Sequence, residues 1–286
     1  MENQWVKVKT KPEGAELTSI ILKEDHTEYL WQGDHKIWGR HAPILFPIVG
    51  RLNDNKYTID GNEYRMTQHG FARDMIFDIL EESEEHILYQ LTSNENTLKH
   101  YPYHFQLRVE YILAKKSIIV KYFVKNTDVQ KIYFSIGGHP GFNCPLIEGE
   151  RMEDYVLEFE KEETLDKICL EDGLISEEKQ PFLNHEKIIP ITKDLFANDA
   201  LIVENTESRY ITLKSIKSTK AIRVTFDEFR YLGIWSKPEG APFICIEPWL
   251  GIADYKNNIV DFKEKAGILS IDPDEEFACS YTISIQ

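Results

Sequence analysis

The stretch Phe105-Gln-Leu107-Arg-Val109-Glu-Tyr111-Ile-Leu113, followed by Ser117-Ile-Ile-Val-Lys-Tyr-Phe-Val-Lys125, decides the fold class. Phe105, Leu107, Val109, Tyr111 and Leu113 alternate with Gln106, Arg108 and Glu110. Period two is the mark of a half-buried strand, because successive side chains leave a strand on opposite faces. The second segment is β-branched and aromatic until Asn126-Thr127 interrupts it. Working outward, 131–136 (Lys-Ile-Tyr-Phe-Ser-Ile) predicts a strand stopped by Gly137-Gly138. Similar runs lie at 86–92, 155–160, 209–214, 220–226 and 243–247. Asp60-Gly61, between Tyr57-Thr-Ile and Glu63-Tyr-Arg, predicts a two-residue hairpin turn. Helical pattern is confined to one short segment from Ser93 to Lys99. The acidic runs 81–85, 160–163 and 274–276 are expected in solvated loops or turns. Short strands spread over the whole length predict an all-β chain, with one large antiparallel β-sandwich or barrel over residues 1–286.

Composition limits function. The chain has 33 Lys+Arg against 48 Asp+Glu, a formal charge of −15. That balance opposes binding to phosphate backbones and to anionic membrane surfaces, so no nucleic-acid or membrane partner is expected. No stretch approaches the length of a membrane span, and the N-terminus lacks the layout of a signal peptide, which together predict a cytoplasmic protein. Cys144, Cys169, Cys245 and Cys279 are too scattered for a zinc site or a disulfide framework. His100 and His104 have the i, i+4 spacing of helical metal ligands, but Pro102 between them argues against a helix. No phosphate loop, dinucleotide fingerprint or nucleophile elbow is present.

Three strings depart from the strand pattern in ways a core does not require. The first joins Trp38-Gly-Arg40-His-Ala-Pro-Ile-Leu-Phe46-Pro-Ile-Val-Gly50-Arg51 to Gln68-His69-Gly70-Phe71-Ala72-Arg73. The second, Gly137-Gly138-His139-Pro140-Gly141-Phe142, puts an imidazole at a strand end between turn residues, where the backbone can approach a ligand. The third, Trp235 to Asp254, contains Glu247 at the end of an apolar run. That carboxylate either faces a cleft or is paired inside, and burial in either place raises its pKa toward that of a base active near neutrality. Arg51 and His69 bring donors suited to vicinal hydroxyls. Trp38, Trp235, Trp249 and Phe46 offer flat faces to a sugar ring or else pack in the core and rim.

Taken together, Phe46-Pro-Ile-Val-Gly50-Arg51, His69-Gly70-Phe71, Ser135-Ile-Gly-Gly-His139-Pro-Gly-Phe142 and Cys245-Ile-Glu247-Pro-Trp249 resemble the aldose 1-epimerases, or galactose mutarotase-like proteins, and within them the LacX-like branch. The resemblance runs from about Trp5 to the C-terminus. It implies a large antiparallel supersandwich and interconversion of the α and β anomers of a free aldose, with a small sugar as substrate and without metal or organic cofactor. It places the general acid on His139, the general base on Glu247, and substrate contacts on His69 and Arg51. The family's hydroxyl-binding aspartate falls on Asp199, with Asp227 in the same interval. The string Gln68-His69-Gly70-Phe71 departs from the Asn…His-Gly-Gly of the galactose mutarotases, which leaves the identity of the sugar open.

The chemistry asks for a proton removed from the C1 hydroxyl and one delivered to the ring oxygen, expected from a carboxylate and an imidazolium on opposite sides of the sugar. Three other functions fit parts of the pattern. A non-catalytic carbohydrate-binding or sensing protein needs the aromatic faces but no poised acid and base. A glycoside hydrolase needs a second carboxylate, which no comparable motif supplies. A sugar-phosphate mutarotase needs further cations, for which Arg40 and Arg73 are at hand.

Overall fold

The alternation at 105–125 forms the hairpin that it predicts. In the computed structural model, which describes residues 1–286, Phe105–Ala114 pairs antiparallel with Ser117–Asn126 from Phe105↔Asn126 to Ala114↔Ser117. Phe105, Leu107, Val109, Tyr111 and Leu113 are buried, as are Ile118, Val120, Tyr122 and Val124, while their neighbours stay accessible. The rest of the sheet grows from this pair. On one side lie His86–Thr92 and then the edge strand Asp78–Glu82. On the other side the order runs Glu276–Ile285, Ala221–Thr225, Tyr210–Ser215, Tyr155–Glu171, Leu201–Glu204, Tyr231–Trp235, Phe243–Leu250, Ile136–Gly138 and Ile44–Leu45. With Leu174–Pro190 and Gly141–Asn143 joined off this path, the sheet has 15 strands.

This is a large antiparallel β-sandwich of the galactose mutarotase type. A single cluster of 63 buried residues, from Val6 to Ile285, fills its interior. At about 25 cal/mol per Å² of apolar surface removed from water, burial of this size is the main favourable term holding the layers together. No helix is long and apolar enough to cross a membrane.

The local expectations are met at several points. Asp60 and Gly61 both take positive φ between strands Lys56–Ile59 and Asn62–Arg65, as the mirror-image hairpin turn requires. Glu95–Leu98 is one helical turn closed by a capping box from Asn94 and Thr97. The acidic run at 160–163 is a correction. It lies inside the 17-residue strand Tyr155–Glu171, and Glu163 is 2% exposed. Its carboxylate accepts from the amides of Glu207 and Ser208 and so closes the turn before Tyr210–Ser215. Glu276 likewise opens a strand instead of a loop.

Candidate active site

Strand Phe243–Leu250 builds the floor of the site by simple alternation. Ile244 and Ile246 point into the main core. Phe243 and Cys245 point the other way, into a small cluster with Trp31 and Ala241, backed by Trp38 and Trp235. Trp249, on that same face, belongs to a second small cluster with Leu45, Ile168, Ile202 and Ile252. Glu247 lies between the two clusters, within the strand, and lines the cleft. Across from it the neighbouring strand is interrupted. Gly141–Asn143 pairs with 243–245 and Ile136–Gly138 with 249–250, and His139-Pro140 bridges the gap. Pro248, which lacks an amide to donate, falls where that ladder is already broken. The His139 amide donates to Pro43 O at 3.1 Å. The stretch before Pro43 is held in turn by Glu16, whose buried carboxylate accepts from the His41 and Ala42 amides at 2.8 and 3.1 Å.

His139 Nε2 thereby stands 3.1 Å from Glu247 Oε2, at the floor of a cleft of about 340 Å³. His139 is 8% exposed and Glu247 1%. Burial pushes the carboxyl well above its ordinary range, reinforced by the charge of Asp199 and opposed by the indole of Trp249. Burial pushes the imidazole the other way, to about 3. Both shifts have the cause that desolvation gives them, since each disfavours the charged form of its own group.

His69 forms the next wall. Its backbone turns at positive φ before Gly70, where a Cβ would come within 2.2 Å of Phe46 O. The Gly50 amide donates to His69 Nδ1 at 3.1 Å, which leaves the ring proton on Nε2. Gln68 Nε2 lies 3.3 Å from His69 Nε2. His69 and His139 are perpendicular, with ring centroids 5.5 Å apart. Trp38 lies over His139 at 5.0 Å, and Trp235 meets it edge-on at 5.8 Å. Asp199, with φ of 74°, opens the cleft on the far side, its Oδ1 accepting from the Ala200 amide.

The structure thus brings five of the seven expected residues, His139, Glu247, His69, Asp199 and Trp235, to one cleft. Asp227 is exposed on the turn after Ala221–Thr225 and does not line that cleft, whereas Asp199 does. Two placements are corrections. Phe46 is fully buried, packed among Phe71, Tyr101, Phe105 and Phe134 with ring centroids 5.1 to 6.5 Å apart. What it contributes is its backbone carbonyl, which accepts from the Phe71 and Ala72 amides and carries the loop bearing His69. Arg51 stands behind the wall of the cleft. Its Nη1 donates to Asp172 O at 2.9 Å, and its stem lies under Gly173, which itself lines the cleft. The arginine in the cleft is Arg73, which donates through Nη2 to Gln68 O at 2.6 Å and leaves Nε without an acceptor. Burial, with the nearby Arg40, lowers Arg73 to about 10. Arg73 shares the His69 string, which was the available signal. The wall formed by Leu170 and Gly173 comes from the tip of a long hairpin and had no signal.

His139, Cys245 and Glu247 carry donor atoms within 4.8 Å of one another. The Cys245 thiol packs into the aromatic cluster of Trp31 and Phe243, and burial raises its pKa well above the ordinary range. The set therefore reads as an imidazole–carboxyl pair beside a packing thiol. The correction to the expected geometry, opposite sides of a sugar, is that His139 and Glu247 stand side by side.

The large antiparallel β-sandwich that carries this cleft is the fold of the galactose mutarotase-like proteins. The chain belongs to the aldose 1-epimerase family, whose model matches residues 1–263. It is 38% identical over its whole length to the plasmid protein LacX of Lactococcus lactis subsp. lactis, 98% of which is covered. Among solved structures it is similar to a galactose mutarotase related enzyme from Lactobacillus acidophilus (35% identity, TM-score 0.95, 100% of this chain and 96% of that one). A galactose mutarotase-like protein from Lactobacillus casei is comparable (32% identity, TM-score 0.95, 100% and 99% covered).

Proposed function

We propose that this protein is a mutarotase that interconverts the α and β anomers of an aldose by general acid–base ring opening and reclosure. The observation that carries the reading is the 3.1 Å approach of His139 Nε2 to Glu247 Oε2 at the base of an open cleft. The pair holds one proton. With that proton on His139, Glu247 is a carboxylate that takes the C1 hydroxyl proton, while His139 gives its own to the ring oxygen. The C1–O5 bond breaks, C1–O1 becomes a carbonyl, and the pair is left with the proton on the carboxyl. Rotation about C1–C2 and the reverse transfers close the other anomer. The pair returns to its starting state without gain or loss of protons or electrons. His69 Nε2–H and Arg73 donate to sugar hydroxyls, Asp199 accepts from them, and Trp38 and Trp235 flank the ring.

A second reading, an aldose phosphate as substrate, is favoured by one observation. Arg73 lies in the cleft and shares Asp74 with Arg40, at 3.9 Å from Arg73 Nε and 2.8 Å from Arg40 Nη2, so two guanidinium groups face one carboxylate. A panel of freshly dissolved aldoses and aldose phosphates, followed by polarimetry and NMR, separates the two. Accelerated anomer exchange that Glu247→Gln abolishes supports the mutarotase. Sugar binding without acceleration supports a sensing or binding protein and sinks the enzymatic reading.

A further inference from the structure

Trp249 stands two residues beyond Glu247 on the same face of Phe243–Leu250. Its indole is wedged against two residues that lack side chains. A Cβ on Gly233 would lie 2.5 Å from its Cζ2, and one on Gly137 2.8 Å from its Cδ1. Both glycines belong to strands paired with this one, at Gly233↔Glu247 and Gly137↔Trp249. The ring is therefore clamped by backbone on both sides and has little freedom to turn. Its Nε1 is buried with no acceptor, and Glu247 Oε2 is buried with no hydrogen-bond donor in proper geometry. Both side chains line the cleft from the same face of the strand, and the indole is among the groups that lower the Glu247 carboxyl. A buried N–H left unpaired is costly unless it is paired in another state of the protein.

The other groups around the carboxyl do not supply this donor. His139 approaches from the 138–141 connection and is the proton's alternative seat. Asp199, from the loop before Leu201–Glu204, opposes ionisation of Glu247. Cys245, on the same strand, is held protonated by burial. His69 and Arg73, from the loop 68–73, act on the histidines, as do Arg40 and Glu16 from farther out. Glu247 accepts from no backbone amide and from no lysine or arginine.

We propose that Trp249 is a positioning residue for the proposed base: its clamped indole N–H donates to the Glu247 carboxylate and tilts the shared proton onto His139. The transfer moves one proton from Glu247 Oε2 to His139 Nε2 and leaves the net charge of the pair unchanged. It converts a resting carboxyl–imidazole pair into the carboxylate–imidazolium pair that ring opening needs. The idea rests on the mutarotase reading for its consequence but not for its chemistry, so the two are tested apart.

In Trp249→Phe the ring is largely kept and the N–H is lost. Loss of a hydrogen bond to a charged group predicts that kcat falls about tenfold or more with KM within about twofold. Carbon-13 NMR of the Glu247 carboxyl should show its titration midpoint rising by about one pH unit, the equivalent of a tenfold change. An unmoved midpoint overturns the proposal, even if activity is lost, since packing damage alone lowers the rate without moving it. Should the variant fail to fold, the wild-type protein still decides. The Trp249 indole N–H resonance should shift with the Glu247 titration and stop doing so in Glu247→Gln, and an indole signal blind to that titration overturns the idea. If no aldose is turned over by the wild type, the mutarotase reading fails while both NMR readouts still report on the hydrogen bond.

Discussion

His139 Nε2 lies 3.1 Å from Glu247 Oε2, and both side chains are at most 10% exposed. At that separation in a desolvated site, neither group titrates independently of the other. Burial drives each toward its neutral form, and the proposed reaction needs one proton that the two groups can exchange. This condition allows one site to take and give a proton in the same event.

Replacing Glu247 by Gln should reduce the catalysed rate of anomer exchange by about 10² to 10⁴, the range for a lost general base. Polarimetry on the preferred aldose checks this. The same variant should be more stable than wild type at neutral pH, because it removes a carboxyl that is costly to ionise in place.

The pH dependence of stability follows from the same shifts. Folded Glu247 keeps its proton well above 4.5, where the unfolded chain releases it, so its contribution falls as pH rises from that value. Folded His139 stays neutral down to about 3, whereas the unfolded imidazole takes up a proton below 6.5. Its contribution is complete above 6.5 and is lost as pH falls from there toward 3. Melting temperatures measured across pH for wild type minus Glu247→Gln, and for wild type minus His139→Asn, should therefore slope in opposite directions. Parallel slopes would show that burial does not govern the pair.

The two arginines should separate by function. Arg73→Gln should raise KM about tenfold or more, as expected for a charge-assisted bond to substrate. Arg51→Gln, which loosens the turn at Asp172 from behind, should cost no more than about fivefold. It should instead speed hydrogen exchange at residues 172–174. Equal effects on KM from both would return Arg51 to the substrate.

Asp199→Asn should raise KM about tenfold, while Asp227→Asn, on an exposed turn, should leave it unchanged. Steady-state kinetics on the two variants suffices.

Phe46→Ala should cost about 3–5 kcal/mol of stability, as for a large aromatic removed from a packed core. Trp235→Ala, on the cleft wall, should act chiefly on KM. Denaturant unfolding beside kinetics distinguishes a core ring from a wall ring.

Much of this was readable along the chain. Alternation at 105–113 fixed which residues face inward, and the hairpin at Asp60-Gly61 followed from the need for positive φ. His139 was marked by its turn neighbours, and Glu247 by the apolar run before it. Other features were hidden for physical reasons. Phe46 and Trp235 are both aromatic residues in motif strings, and only packing separates a core ring from a wall. Arg51 and Arg73 each follow a motif element, and which guanidinium enters the cleft depends on a hairpin tip far off in sequence. Glu163 reads as one charge in an acidic run, yet two amides from another turn make it a buried cap.

The amino-acid sequence alone determined the all-β class, the strand faces, and the residue types able to exchange protons with a sugar, because these depend on short-range periodicity and side-chain chemistry. Only the tertiary structure decided that His139 and Glu247 stand side by side, that Arg73 and not Arg51 reaches the cleft, and that Trp249 is clamped over two glycines. Those facts depend on register between strands distant in the chain and on the exclusion of water from where they meet, and neither quantity is written in any local stretch.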